Sequence, residues 1–120
     1  MKTTIQVSKS KEVACVLLPE SKFSDGDEFA PIADEILSLV ESQNWRIVVM
    51  DFEKVGFLSS TALGRLIQFV SAMRAKGVQV GLFNVQPTVT ELFELTHVDQ
   101  ILSVYETRGE AIRGSAAAGQ

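Results

Sequence analysis

Two short runs of apolar, largely β-branched residues limit what this chain can become: Trp45-Arg46-Ile47-Val48-Val49-Met50 and Val78-Gln79-Val80-Gly81-Leu82-Phe83-Asn84-Val85. A strand with one wet face alternates apolar and polar side chains, whereas a near-continuous apolar run is the pattern of a strand covered on both faces. Such strands lie in parallel sheets beneath helices, and the connection between two of them crosses over right-handed. The segment between these two runs supplies the helix. Leu63, Leu66, Ile67, Val70 and Met73 fall on one helical stripe from Thr61 to Lys76, and Gly77 is a suitable C-terminal stop. The opposite face carries Thr61, Arg65, Gln68, Ala72 and Ala75, with Ala62 and Phe69 on the boundary. With so little charge, that face is a candidate docking surface.

The remaining segments extend this βαβ unit. Residues 4–8 alternate as a strand with one wet face, and Val13 to Leu18 is a second apolar run, so the two read as a hairpin. Pro19 to Asp27 has the composition of a loop. From Glu28 to Ser42 the residues Phe29, Ile32, Ala33, Ile36, Leu37 and Val40 follow helical spacing, with Pro31 expected in the first turn and Asn44 at the end. Pro87 opens a short helix from Thr88 to Leu95, residues 101–105 read as a last strand, and Glu106 to Arg113 as a closing helix. The expected fold is α/β: a single domain over residues 4–113, with a mixed, mostly parallel sheet and about four helices in the order β-β-α-β-α-β-α-β-α. The stretch from Gly114 to Gln120 has no core-forming residue and is expected to be a disordered tail.

Composition removes several classes of function. A chain of 120 residues holds one core, and a net charge of −4 without a basic stripe argues against binding nucleic acid. No apolar run approaches the length of a membrane span, and no signal-peptide core is present at the N-terminus. A single cysteine, Cys15, excludes an internal disulfide, and together these features place the protein in the cytoplasm. Cys15 reads as a small core residue and His97, the only histidine, as a structural or surface residue. Asp51 and Glu53 lie two residues apart near a strand end, but no further ligand accompanies them, so no metal or cofactor is expected. There is no glycine-rich phosphate loop, no metal-ligand spacing and no nucleophile paired with a histidine, which argues against an enzyme.

The chemistry concentrates where the first buried strand gives way to the helix, in Asp51-Phe52-Glu53-Lys54-Val55-Gly56-Phe57-Leu58-Ser59-Ser60-Thr61-Ala62-Leu63-Gly64. Three consecutive hydroxyls stand at a helix start, where unpaired N–H groups and a partial positive charge favour Ser or Thr as a cap and tolerate a phosphate.

In register, Asp51, Val55, Phe57, Leu58, Ser60, Thr61, Ala62, Leu63 and Gly64 match the signature of the STAS domain, which the chain resembles over residues 4–113. That signature is an Asp ending a strand, then Val, an aromatic, an apolar residue, Asp-Ser-Ser/Thr, a small residue and Leu-Gly. The resemblance implies an anti-sigma factor antagonist, a regulatory protein that binds an anti-sigma factor acting as a serine kinase. It also implies phosphorylation of the Ser after the Asp, here Ser60, with Thr61 as second choice. The motif departs at the Asp itself, replaced by Ser59, which is either an alternative acceptor or the helix cap. The partner-binding surface implied comprises Phe57, Leu58, Ser59, Ser60, Thr61, Ala62, Arg65, Gln68 and Phe69. The alternative is a STAS scaffold that is never phosphorylated, such as a subunit of a sensor complex or an accessory of a membrane transport system.

Overall fold

In the computed structural model, which describes residues 6–10, 12–19, 21–23 and 26–118, both apolar runs lie at the centre of the sheet. The elements in chain order are β1 (Gln6–Ser10), β2 (Val13–Leu17), β3 (Ser21–Phe23), α1 (Gly26–Gln43), β4 (Ile47–Asp51) and β5 (Val55–Leu58). They continue with α2 (Ser60–Ala75), β6 (Gln79–Phe83), α3 (Pro87–Leu95), a 3-10 turn (Val98–Gln100), β7 (Val104–Tyr105) and α4 (Arg108–Ala118). The main sheet has the order β1-β2-β4-β6-β7, and a two-stranded sheet pairs β3 with β5. β1 is antiparallel to β2, as expected of a hairpin; every other pair is parallel. The start expected at residues 4 and 5 lies outside the described residues.

Alternation along each central strand divides two cores. Ala14, Val16, Val48, Met50, Val80 and Leu82 meet α1, α2 and α3 on one face. The two long helices interlock through Phe29 of α1 and Phe69 of α2, whose rings stand edge to face at 5.7 Å. On the other face Cys15, Val49 and Phe83 pack against Ala111 of α4. Asn44, at φ 57°, and Gly77, at φ 81°, turn the chain out of α1 and α2 in the left-handed region that helix ends favour.

Four expectations are corrected. The loop reading of Pro19 to Asp27 missed β3, which pairs with β5 just before the serines, where Val55 and Leu58 are both buried. Helix α1 begins at Gly26, so Pro31 lies in the second turn and leaves the carbonyl of Asp27 without its usual helical donor. The last strand is reduced to two residues because the chain before it first coils through Val98–Gln100 and sends Leu102 into the core. The closing helix continues through Ala118 instead of ending at Arg113, and Ser115 in the expected tail is buried. Residues 119 and 120 lie outside the described residues. Close packing accounts for the continuation: a Cβ at Gly114 would come within 2.5 Å of the Tyr105 ring, so the helix docks where a side chain is missing.

That contact makes a prediction whose sign is informative. Gly114→Ala drives a methyl into Tyr105 and should cost about 1–3 kcal/mol of stability in urea unfolding. An undocked α4 would respond in the opposite direction, because alanine favours a free helix. A second prediction concerns Cys15, whose pKa is raised by burial, opposed by the Arg108 guanidinium and reinforced by Asp51. A thiol pKa raised on folding contributes stability that is fully present below the ordinary value of roughly 8.5 and declines as pH rises through the folded value. Alkylation at pH 8 should accordingly be far slower in the native protein than in the urea-unfolded chain.

Candidate functional site

Asp51, the last residue of β4, fixes how the chain leaves the sheet. Its Oδ1 accepts hydrogen bonds from the Glu53 N–H at 2.9 Å and from Asn84 Nδ2 at 3.2 Å. The first bond closes a tight turn; the second ties the exit of β4 to that of β6, where Asn84 sits at φ 57°. The start of α3 holds the same segment from the side. Gln86 Nε2 donates to the Glu53 carbonyl at 2.7 Å, and Thr88 Oγ1 donates to the Gly56 carbonyl at 3.3 Å. Chain pattern did not point to Asn84, Gln86 or Thr88, and Pro87 at the opening of α3 is the one local sign that a fixed element begins there.

β5 delivers the hydroxyls. Leu58 is buried and anchors the strand, Phe57 points outwards at 49% exposure, and Ser59 follows in an extended conformation with φ −75° and ψ 165°. Ser59 is the cap: its Oγ accepts from the Ala62 N–H at 3.1 Å while its carbonyl accepts from the Leu63 N–H at 2.8 Å. Ser60 and Thr61, the first two residues of α2, are exposed, and their N–H groups have no partner among the described residues. No acidic side chain lies in the first turn of α2. The helix start is thus an uncompensated positive end beside two free hydroxyls.

The expected docking residues separate into two sets. Phe57, Ser60, Thr61, Arg65 and Gln68 are exposed and Ser59 half-buried, whereas Leu58, Ala62 and Phe69 face the core at 6%, 0% and 4% exposure. Phe69 turns inwards because Phe29 of α1 offers it a ring edge, so these three are corrected to packing residues. Gly64 is exposed one turn after Ser60, where a helical glycine costs about 0.5–1 kcal/mol relative to alanine.

Other chemistry is thinly represented. Among the described residues no group of three or more His, Cys, Asp or Glu could hold a metal ion. No helix among them is long and apolar enough to cross a membrane. An open cleft of about 560 Å³ lies at the carboxyl ends of the strands, between Glu53, Gln86, Tyr105 and Glu106, and the serines do not line it.

The comparisons with known proteins follow this geometry. The family model for the STAS domain matches residues 7–111. An anti-sigma-B factor antagonist of Listeria monocytogenes is 25% identical over 81 residues, covering 68% of this chain and 71% of that protein. A crystal structure of a putative anti-sigma factor antagonist from Thermotoga maritima superimposes with a TM-score of 0.77 at 17% identity, covering 93% of this chain and 94% of that one. The Bacillus cell fate determinant SpoIIAA, in its phosphorylated form, gives 0.64 at 19% identity, over 91% and 96% of the two chains.

The division of labour among the hydroxyls can be measured. Ser59→Ala should cost about 1 kcal/mol in chemical denaturation through loss of the cap. Ser60→Ala, which removes no hydrogen bond within the chain, should stay within about 0.5 kcal/mol of wild type.

Proposed function

The chain belongs to the STAS domain family, and from that premise we propose that it is an anti-sigma factor antagonist-like regulator whose binding to a serine-kinase anti-sigma factor is switched by phosphorylation at Ser60. One observation carries the reading: Ser60 is exposed at the start of α2 while its neighbour Ser59 is committed to capping. An acceptor hydroxyl has to leave the fold undisturbed when it is modified, and Ser60 satisfies that condition where Ser59 does not. Thr61 is exposed too and is the second choice.

The switch follows from electrostatics. Unmodified, the surface of Phe57, Ser60, Thr61 and Gln68 is neutral, with Arg65 its one cation, and suits a partner that covers it. A phosphate adds about −1.5 to −2 charges and three strong acceptor oxygens. The free N–H groups of Ser60 and Thr61 and the dipole of α2 stabilise that charge on the isolated protein. A partner that has displaced water from the same surface instead faces a desolvated charge, so modification weakens association and spares folding.

The second reading is a STAS scaffold that is never phosphorylated, and Ser59 in the place of the motif's Asp is the observation in its favour. Incubation with the serine-kinase anti-sigma factor of the source organism and ATP, followed by mass spectrometry, separates the two. The switch predicts a single phosphate on Ser60 and a Ser60→Asp variant that binds that kinase about tenfold or more weakly, with an unfolding midpoint at or slightly above that of wild type. An unmodified chain, with Ser60→Asp binding like wild type, would establish the scaffold.

A further inference from the structure

Among the described residues, two buried side-chain polar atoms have no hydrogen-bond partner, Trp45 Nε1 and Ser115 Oγ. Ser115 has a remedy inside the chain. It lies in α4, where a serine hydroxyl can turn to the carbonyl one helical turn back, and its Oγ rests over Gly81, 2.7 Å from where a Cβ would stand. Trp45 has no such remedy. An indole N–H only donates, its direction is fixed by the ring plane, and the ring is held in the main core at 2% exposure. Buried donors are ordinarily paired, so this one calls for an acceptor that the described chain does not supply.

Trp45 also forms part of the wall of an open cleft of about 650 Å³, a size suited to a small molecule. The cleft lies where α1 and α2 end and β4 and β6 begin, at the edge of the sheet opposite the serines. Its backbone frame is fixed: the Trp45 N–H donates to the Val40 carbonyl at 3.2 Å, and the Arg46 N–H to the Glu12 carbonyl at 2.8 Å. Val40 and Val78, both buried, line it with apolar surface. Of its two cations, Lys76 is already paired with Glu41 at 3.0 Å, whereas Arg46 is exposed and has no ion pair among the described residues. Asn44 is exposed beside it, and neither side chain makes a hydrogen bond among the described residues, so the rim is free to part and admit a group to the indole.

We propose that this cleft binds a small organic monocarboxylate, whose oxygens accept from Trp45 Nε1–H and pair with the Arg46 guanidinium while its apolar body lies against Val40 and Val78. The chemistry of the lining selects that class. A cation offers the indole N–H nothing to donate to, and a neutral acceptor leaves the guanidinium unpaired. A dianion such as phosphate meets the Glu12 carboxylate and the carbonyl ends of α1 and α2, which bring partial negative charge to this edge. A single negative charge on an apolar frame satisfies both free donors without that opposition. The site is remote from Ser60 and does not depend on the proposed function.

Trp45 is the only tryptophan, so intrinsic fluorescence reads the cleft directly. Titration of the full chain with benzoate should give a saturable change in that fluorescence and one-site heat in calorimetry, with a Kd of about 1 mM or tighter. Benzamide, its neutral isostere, and inorganic phosphate should each bind about tenfold or more weakly. Arg46→Gln, at an exposed position, should weaken benzoate about tenfold by both readouts. Trp45→Phe keeps an aromatic ring and deletes the N–H, and should weaken it similarly by calorimetry. Glu106→Gln, in the cleft at the opposite edge, should bind benzoate like wild type. No saturable response up to about 20 mM benzoate overturns the proposal. Equal binding of benzamide or phosphate overturns it too, as does wild-type affinity in Arg46→Gln, whether or not Trp45→Phe folds.

Discussion

The carboxylate of Asp51 is the constraint on which the geometry leading to the serines depends. Buried parallel strands deliver their chain ends to one edge of the sheet, but nothing in a sheet says where the chain goes next. Asp51 supplies that information by holding the Glu53 N–H and the Asn84 side chain with one oxygen. β5 follows the turn that Asp51 closes and pairs with β3 across a register shift between Ser21 and Lys22, and Gln86 and Thr88 brace this segment from the start of α3. Ser59 then arrives extended, in the geometry a helix cap requires. Rigidity at the serines is therefore borrowed from two strand ends and a neighbouring helix rather than generated locally.

How much of this was legible in the sequence depends on what each element uses for its stability. β4 and β6 are buried on both faces, which leaves a composition that can mean little else. β3 and β5 are three and four residues long; β3 is held by pairing with β5, and β5 by side chains at the start of α3 some thirty residues away, so no periodicity announces them. The end of α4 was hidden for a different reason. Gly114 and Ser115 pack because they are small, and small residues read as solvated tail when the Tyr105 ring they accommodate is unseen. Phe69 was ambiguous because a boundary position on a helix is decided by its neighbour, and Phe29 decided it. At the site itself the hydroxyls were placed correctly because capping is local chemistry, whereas the Asp51–Asn84 tie joins residues from two crossovers and left no mark on either stretch.

The two faces of the sheet carry cores of different make-up. Three helices cover one face with large apolar side chains, and that core sets the position of α2. α4 covers the other with small residues and a shallow cluster around Cys15 and Val49. Because α2 buries Leu63, Leu66, Phe69, Val70 and Met73 on its inner side, its outer side can be specified almost freely. Selection acting on Ser60, Thr61, Gly64 or Gln68 meets little resistance from the core, which is the condition for a surface tuned to a partner.

Replacing the motif's Asp by Ser59 changes the electrostatics of that surface more than its shape. Either side chain can accept from the third N–H of the helix, but only a carboxylate would neutralise the positive end of α2 in doing so. With a hydroxyl as cap and no acidic residue in the first turn, the helix start keeps its full field. A phosphate on Ser60 would meet that field without a like charge one residue away, so modification should disturb this fold less than it would one carrying the motif's Asp. The exchange thus favours tolerance of a negative charge at Ser60 over neutralisation of the helix end by the cap itself.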